Sequence, residues 1–402
     1  MNRSPRIVVV GGGLIGAVAA LLFDRAGFAV DLVERAAPSA QSLPVGRLGA
    51  DLRSVALAPA SIDMLDGLGA WNEALLADAC SYGGMEVWDA EGTGVIRFAA
   101  AEVGARELGR MVENRALVLR LWELLAESSV RCNVGAGVAR LGSSAEGTTV
   151  TLEDGRRLDA ALVVAADGAR SQVRALAGID TRSEDTGQLA IATVARVEHH
   201  HGGVAWQRFL PTGPLAFLPL PDRAGAHRVS VVWSLERAAG ERLQALDDGA
   251  FAAALERAFE ARLGAVLEVD QRIAFPLVQQ HAERYAGPGV VLVGDAAHVL
   301  HPLAGQGANL GLKDVQALLG ELHHLQHGPA ASRLGNPDLL SRYERARRGD
   351  NALMLGAMTG LRRLFGADDM GVRWLRNSGL RLVDHAQPLK RQFMIHALGI
   401  AD

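Results

Sequence analysis

Cysteine and lysine are nearly absent: Cys80 and Cys132 are the two cysteines of the 402 residues, Lys313 and Lys390 the two lysines. Two distant cysteines suggest neither a disulfide framework nor a cysteine metal site, and a reducing cytoplasm is the simplest compartment. Lysine is scarce although Lys and Arg together number 41, which reads as genomic base composition. There is no excess of positive charge; the net charge of −4 argues against a dedicated nucleic-acid binder, which needs a basic face for phosphate. Long apolar runs are also missing, with one apparent exception from Ile7 to Phe23, preceded by Arg3 and Arg6. Gly11, Gly12 and Gly13 interrupt it, which is costly inside a helix but expected at a strand-to-helix turn. Neither a signal peptide nor a membrane span follows. What is present, 49% hydrophobic and 21% charged residues without repeats or low-complexity linkers, is a globular chain long enough for two or three domain-sized units.

The chain opens as strand Ile7 to Val10, glycine turn, helix Leu14 to Ala26 and strand Ala29 to Glu34, a βαβ unit. Helical patterns are expected near Ser61 to Leu76, Asn114 to Ala126 and Leu243 to Leu263. Thr149 to Leu152 with the turn Asp154-Gly155 reads as a hairpin feeding a buried strand, Ala161 to Ala165. From Ala190 to Leu235 the texture becomes β-type, with strands at Ile191 to Val197, Pro214 to Leu220 and Arg228 to Trp233. Strand Gly289 to Val293 returns the chain to the first unit, and from about Gly311 onward it is mainly helical.

Three segments carry chemistry. Gly11-Gly12-Gly13-Leu14-Ile15-Gly16 fits GxGxxG, with Glu34 at the end of the second strand. Gly11 permits the turn, Gly13 lets a pyrophosphate approach the helix N-terminus, Gly16 lets helix and strand pack, and Glu34 can accept from a ribose hydroxyl. This motif serves NAD and FAD alike. The second segment is Asp167-Gly168-Ala169-Arg170-Ser171-Gln172-Val173-Arg174, directly after an apolar strand. The third runs from Val290 to Asp314: a buried strand delivers Gly294 and Asp295 to its end, where a carboxylate could hold a polyol such as the ribityl chain. Gly305, Gly307 and Gly311 then leave N–H groups uncovered near a helix start, a setting suited to the electron-rich edge of a reduced flavin.

In order and spacing these segments resemble the three fingerprints of the single-component flavoprotein aromatic hydroxylases, the group containing para-hydroxybenzoate hydroxylase, over nearly the whole chain. Asp51 to Trp71, Glu113-Asn114, Pro211 to Leu220 and His396 to Gly399 further resemble the FAD-dependent hydroxylases of ubiquinone biosynthesis. The resemblance implies an α/β fold with a Rossmann-type FAD-binding domain (1–74, 111–186, 277–345), an inserted mainly β-sheet substrate domain (75–110, 187–276) and a helical C-terminal region (346–402). It implies non-covalent FAD, with NADPH or NADH as transient co-substrate. By the same resemblance Arg53 contacts the phosphate or adenosine side of FAD, Asn114 makes a polar contact with it, Asp167 and Gly168 support the cofactor and the nicotinamide encounter, Asp295 holds the ribityl chain, and Pro302, Gly305, Gln306, Gly307, Ala308 and Asn309 line the isoalloxazine.

In such enzymes the reduced flavin takes up molecular oxygen and a flavin hydroperoxide hydroxylates an activated phenol, here one carrying a polyprenyl tail. The protein supplies orientation and a water-poor chamber. Two other readings stand beside this one: a hydroxylase of a soluble aromatic or natural product, and a non-catalytic FAD-binding scaffold. No acid or base is assigned. His301 is a weak catalytic candidate, and for both His298 and His301 a structural histidine bonded to backbone is the simpler reading. His199-His200-His201 has no carboxylate at ligand spacing and reads as an exposed turn, not a metal site. Trp206, Phe209 and Phe217 fit a substrate pocket and a sheet core equally well. The Arg-rich tail, with Leu361 to Phe365 and Trp374 to Arg376, could rest on anionic lipid at the inner membrane or in a biosynthetic complex, although a helical face packed on the FAD domain is simpler. A homo-oligomer is compatible with all of this.

Overall fold

The computed structural model describes residues 5–39, 46–144, 147–299, 306–323, 334–365 and 386–398. Its first layer is a six-stranded sheet in the order Ala286–Gly287, Val290–Leu292, Leu162–Ala165, Arg6–Val10, Ala29–Glu34, Arg131–Val134. All pairings are parallel except that of the two-residue edge strand. The central strands are buried and apolar apart from Asp31, which pairs with Arg6, because helix Leu14–Arg25 and the three-stranded sheet of Val138–Ser144, Gly147–Leu152 and Arg157–Ala160 pack against them. Helix Leu14–Arg25 packs against helices Asn114–Glu127 and Gln306–His323.

Strands Arg6–Val10, Leu162–Ala165 and Val290–Leu292 are adjacent and parallel, so their carboxyl ends share one edge. Each of the three motifs begins where one of these strands ends. A parallel sheet therefore brings together segments separated by up to about three hundred residues, at the place where open α/β sheets bind ligands.

The second layer is a nine-stranded sheet built around the 17-residue strand Thr181–Val197. His227–Glu236, Gly213–Pro219 and Val204–Leu210 follow on one side, and then Gly84–Asp89 and Val95–Ala99 extend the sheet from an earlier part of the chain. On the other side Ile273–Ala282 pairs with His298–Val299, which continues from the third motif. Alternation divides this sheet cleanly. Ile191, Leu215, Phe217, Val231 and Trp233 pack on Phe251 and Leu255 of helix Asp248–Ala258, whereas Ala192, Ala216, Ser230, Val232 and Ser234 face the opposite way. Phe217 stacks on Phe259 at 3.7 Å between centroids.

Two helical expectations need correction. The pattern from Ser61 to Leu76 is two helices, Pro59–Gly67 and Glu73–Ala77, separated at Gly69 (φ +69°), with Asn72 accepting the Leu75 N–H to begin the second. The pattern from Leu243 to Leu263 is also broken. Asp247 caps a new helix by accepting the Ala250 N–H at 2.7 Å, and Glu260 and Ala261, both at positive φ, end it. In both cases a local capping contact outweighs a continuous apolar spacing.

Candidate functional site

The glycine turn is shaped by close approach. Gly11 has φ +105°, and a Cβ there would strike the Ala166 carbonyl at the end of the neighbouring strand. A Cβ on Gly16 would strike the Gly11 carbonyl. Gly13 differs: nothing lies within 4 Å of the position its Cβ would occupy, and it begins helix Leu14–Arg25 with no side-chain cap. The first-turn N–H groups therefore face open space. Gly12 was not singled out by the motif, yet its Cβ would lie 2.5 Å from Trp122, whose indole N–H donates to the Gly12 carbonyl at 2.8 Å. The signal for that constraint is tertiary, carried by a residue 110 positions away.

A cavity of about 370 Å³ opens over this turn, with Gly11, Gly13, Glu34, Asp167, Gly168 and Arg170 in its wall. Glu34 accepts the Gly12 N–H at 2.5 Å and the Ala36 N–H at 3.2 Å, which leaves lone pairs on both oxygens for a ligand. Arg170 has no hydrogen-bond or ion-pair partner among the described residues, so a guanidinium is free beside the open helix N-terminus. Uncapped N–H groups, a free cation and a carboxylate at the strand end match the pyrophosphate and ribose of a dinucleotide. The residues present fit FAD.

Asp167 is engaged by protein. Its carboxylate accepts the Ser171 hydroxyl and the N–H groups of Gln172 (2.8 Å) and Val173 (3.1 Å), capping the short helix Gln172–Leu176. Arg174 then donates to the carbonyls of Ala169 and Ala296, both at 2.9 Å, and so ties the second motif to the third.

Gly294 adopts φ +59°, and its Cβ would meet the Ile15 side chain at 3.2 Å; a Cβ on Gly311 would meet the same side chain at 2.8 Å. The stretch around Asp295 thus lies directly against the first motif. The Asp295 side chain reaches the surface from a recess, where desolvation raises its carboxyl above the usual range and the nearby His298 pulls it partly back. Beneath it, fully buried Asp314 accepts the Gly294 N–H at 2.9 Å, His298 Nε2 at 2.6 Å and Arg347 Nε at 2.8 Å. Burial opposes ionisation of Asp314, but His298 and Arg347 together hold its carboxyl below the ordinary range. His298, expected to bond backbone, is instead bonded to a buried carboxylate.

Gln306, Gly307 and Ala308 form the first turn of helix Gln306–His323. Asn309, expected in the stretch lining the isoalloxazine, turns its side chain to protein. It is buried; its Oδ1 accepts from Ala58 N–H and Ser61 Oγ and its Nδ2 donates to the Ala56 carbonyl, each at 2.8 Å. Three of the amide's four hydrogen-bonding positions are taken by protein, and they fix the helix start against residues 56–61. His301, Pro302 and Gly305 lie outside the described residues, as does Trp374 to Arg376 of the Arg-rich tail.

A second cavity, about 190 Å³, lies on the small-residue face of the nine-stranded sheet, roofed by Leu52, Arg53 and Ala56. Arg53 lines this cavity and not the one over the glycine turn. Asn114 lines neither; its backbone N–H donates to the Arg53 carbonyl at 3.1 Å. Asp51, unforeseen, holds this junction by accepting the Arg53 N–H at 2.9 Å and the Arg115 N–H at 3.3 Å. Trp206, Phe209 and Phe217 are absent from the lining, and Phe217 and Trp206 pack in the core on the other face.

The histidine run does have a carboxylate beside it, contrary to expectation: Asp222 lies within reach of His200 and His201. The hydrogen bonds nevertheless oppose metal binding. His200 Nδ1 accepts the Gly202 N–H and His201 Nδ1 accepts the Gly203 N–H, so each ring's proton sits on Nε2, where His201 donates to the Leu220 carbonyl at 3.0 Å. Neither ring offers a spare lone pair.

The chain matches the family model described as FAD binding domain over residues 5–354. It is 37% identical to the 3-demethoxyubiquinol 3-hydroxylase of Escherichia coli, covering 99% of this chain and all of that one. It is 39% identical to the ubiquinone hydroxylase UbiL of Rhodospirillum rubrum, covering 98% and 89%. The chain belongs to the FAD-dependent hydroxylases of ubiquinone biosynthesis. The human ubiquinone biosynthesis monooxygenase COQ6, 31% identical over 97% of this chain and 92% of its own, is a more distant relative in this family. Among solved structures, p-nitrophenol 4-monooxygenase PnpA from Pseudomonas putida (TM-score 0.75, 20% identical, 98% and 97% covered) and HpxO of Klebsiella pneumoniae with FAD and uric acid (0.75, 19%, 100% and 100%) share the fold. No helix of the described residues is long and apolar enough to cross a membrane.

Proposed function

We propose that this family member hydroxylates the ring of a ubiquinone precursor inside the sheet cavity, using NAD(P)H and molecular oxygen. The observation that carries the reading is the placement of that cavity. Its wall residue Ala56 is hydrogen-bonded to Asn309 at the start of the third-motif helix, so the expected flavin-ring segment and the small-residue sheet face lie back to back. FAD, when bound, supplies the hydride acceptor and the oxygen chemistry.

The protein's part is to bind, orient and exclude water. Gly13 and Arg170 would take the pyrophosphate, Glu34 the ribose, and Asp295 the ribityl hydroxyls. Arg53, whose guanidinium has no partner among the described residues, would face the ring side. The sheet domain and the FAD-binding domain, divided as the sequence suggests, then each supply one cavity. A polyprenyl tail would leave past Phe275, a cavity-lining side chain still 39% exposed. Peripheral membrane association and self-association are compatible additions.

The test is turnover of flavin-loaded protein with NADH or NADPH, labelled oxygen gas and a short-tailed ubiquinol precursor lacking one ring oxygen. Label in the ring of the product supports the reading. Nicotinamide oxidation that yields only hydrogen peroxide for every ring offered would oppose it.

A further inference from the structure

The face of the sheet beneath the second cavity is apolar or small-chained, with Leu218 and Phe275 its bulky side chains and Gln207 its one long polar one. Cross-strand register places Ala192, Val232, Ala216 and Gln207 in a single row, one residue from each of four adjacent strands. Ser230 and Ser234 lie two residues either side of Val232 on the same face. Gln207 is thus the one long polar side chain in a row otherwise of Ala and Val.

It is 6% exposed, yet its amide has no hydrogen-bond partner among the described residues. Ser230 and Ser234, at 3% and 2%, have none for their hydroxyls either. All three line the cavity, and polar groups that open on a cavity without a protein partner are free to bond what enters it. Three on one cavity wall mark the positions where a ligand's polar atoms belong. Among the described residues of the lining Arg53 alone is charged, and it stands on the roof rather than the floor.

We infer that Gln207, assisted by Ser230 and Ser234, is the specificity-determining group that reads an oxygen substituent on the ring, and that the floor selects uncharged hydroxyl- or methoxy-bearing rings over benzoates. An amide suits both kinds of substituent, because its oxygen accepts from a ring hydroxyl and its NH2 donates to a methoxy oxygen. A carboxylate at the floor would meet no cation and would lose its hydration uncompensated. The inference rests on the proposed function, since it assumes that the ring enters this cavity.

The experiment compares kcat/KM for two short-tailed ring substrates that differ by one methoxy group, in the wild-type protein, in Gln207→Leu and in Gln207→Glu, with bound flavin measured spectroscopically in each. The expected result is a wild-type preference for the methoxy-bearing ring that falls about 10- to 100-fold in Gln207→Leu, the range for losing a partner of a buried hydrogen bond. Gln207→Glu, which keeps the shape and the acceptor but not the donor, loses the same preference; it also serves as the folded comparison should the leucine variant fail to retain flavin. A wild-type protein that oxygenates neither ring overturns the proposed function itself. One that oxygenates both, with a preference unchanged in either flavin-loaded variant, overturns the role of Gln207 alone.

Discussion

Replacing Asp314 with asparagine isolates the contact that holds the Gly294-Asp295 turn. One carboxylate oxygen accepts the Gly294 N–H and His298 Nε2, the other accepts Arg347 Nε and, at 3.4 Å, Asn351 Nδ2. An asparagine has one oxygen, so whichever way its amide turns, an NH2 faces two donors. Either buried Arg347 loses an acceptor or the Gly294 N–H is orphaned. Removing one partner of a buried ion pair costs about 3–5 kcal/mol, and an orphaned buried N–H about 1–3 kcal/mol. Because asparagine removes the charge that Arg347 faces whichever way it turns, a loss of about 3–5 kcal/mol is expected in denaturant unfolding at fixed excess FAD. The pH dependence has a definite sign. The folded carboxyl sits below its unfolded value, so its contribution is complete above the ordinary Asp range near pH 4 and fades as pH falls through the folded value. The gap between wild type and variant should accordingly be constant from about pH 5 to 7 and narrow below pH 4. A loss under about 1 kcal/mol with unchanged FAD affinity would refute the claim that this network positions the turn.

Gly13→Val fills the open space over the glycine turn and should abolish FAD retention in a folded chain; unchanged affinity in a flavin titration would remove pyrophosphate approach from that residue's role. Asp295→Ala should give folded, colourless protein, checked by flavin absorbance against circular dichroism, and full yellow colour would count against the ribityl contact. Asn309→Ala should lower stability by about 2–4 kcal/mol, from three lost hydrogen bonds and the buried groups left behind. Its flavin spectrum at saturating FAD should stay near wild type, and a spectral shift without destabilisation would restore Asn309 to the ring contacts.

What the sequence made legible was the chemistry carried by adjacent residues. The glycine turn, its acidic strand end and the apolar strands before each motif are local patterns, and parallel pairing converts three of them into one edge. Side-chain direction was not legible. Asn309 sits inside a segment whose neighbours read as flavin-facing, yet it points to residues 56–61; nothing in its sequence context encodes that. Arg53 likewise lies in a recognisable stretch but on the side of the sheet cavity. The Asp314–Arg347 pair joins helices through buried charge that no spacing rule anticipates. Gln207 was hidden for a different reason: in an alternating strand every second residue shares a face, and only the register across four strands shows that its row is otherwise Ala and Val.

These tertiary contacts have a common logic. Each motif that would meet the cofactor is held by a residue that need not touch it: Trp122 at Gly12, Arg174 between the second and third motifs, Asp314 under Gly294, Asn309 at the start of the third-motif helix. Cofactor-facing loops must keep donors and acceptors unpaired until the ligand arrives, so they cannot brace themselves. The bracing has to come from behind, through buried or half-buried polar groups bonded to protein. The sheet cavity inverts the pattern. Its walls are rigid strands that need no bracing, and so its polar side chains, Gln207, Ser230 and Ser234, are left without protein partners among the described residues and available to a ring.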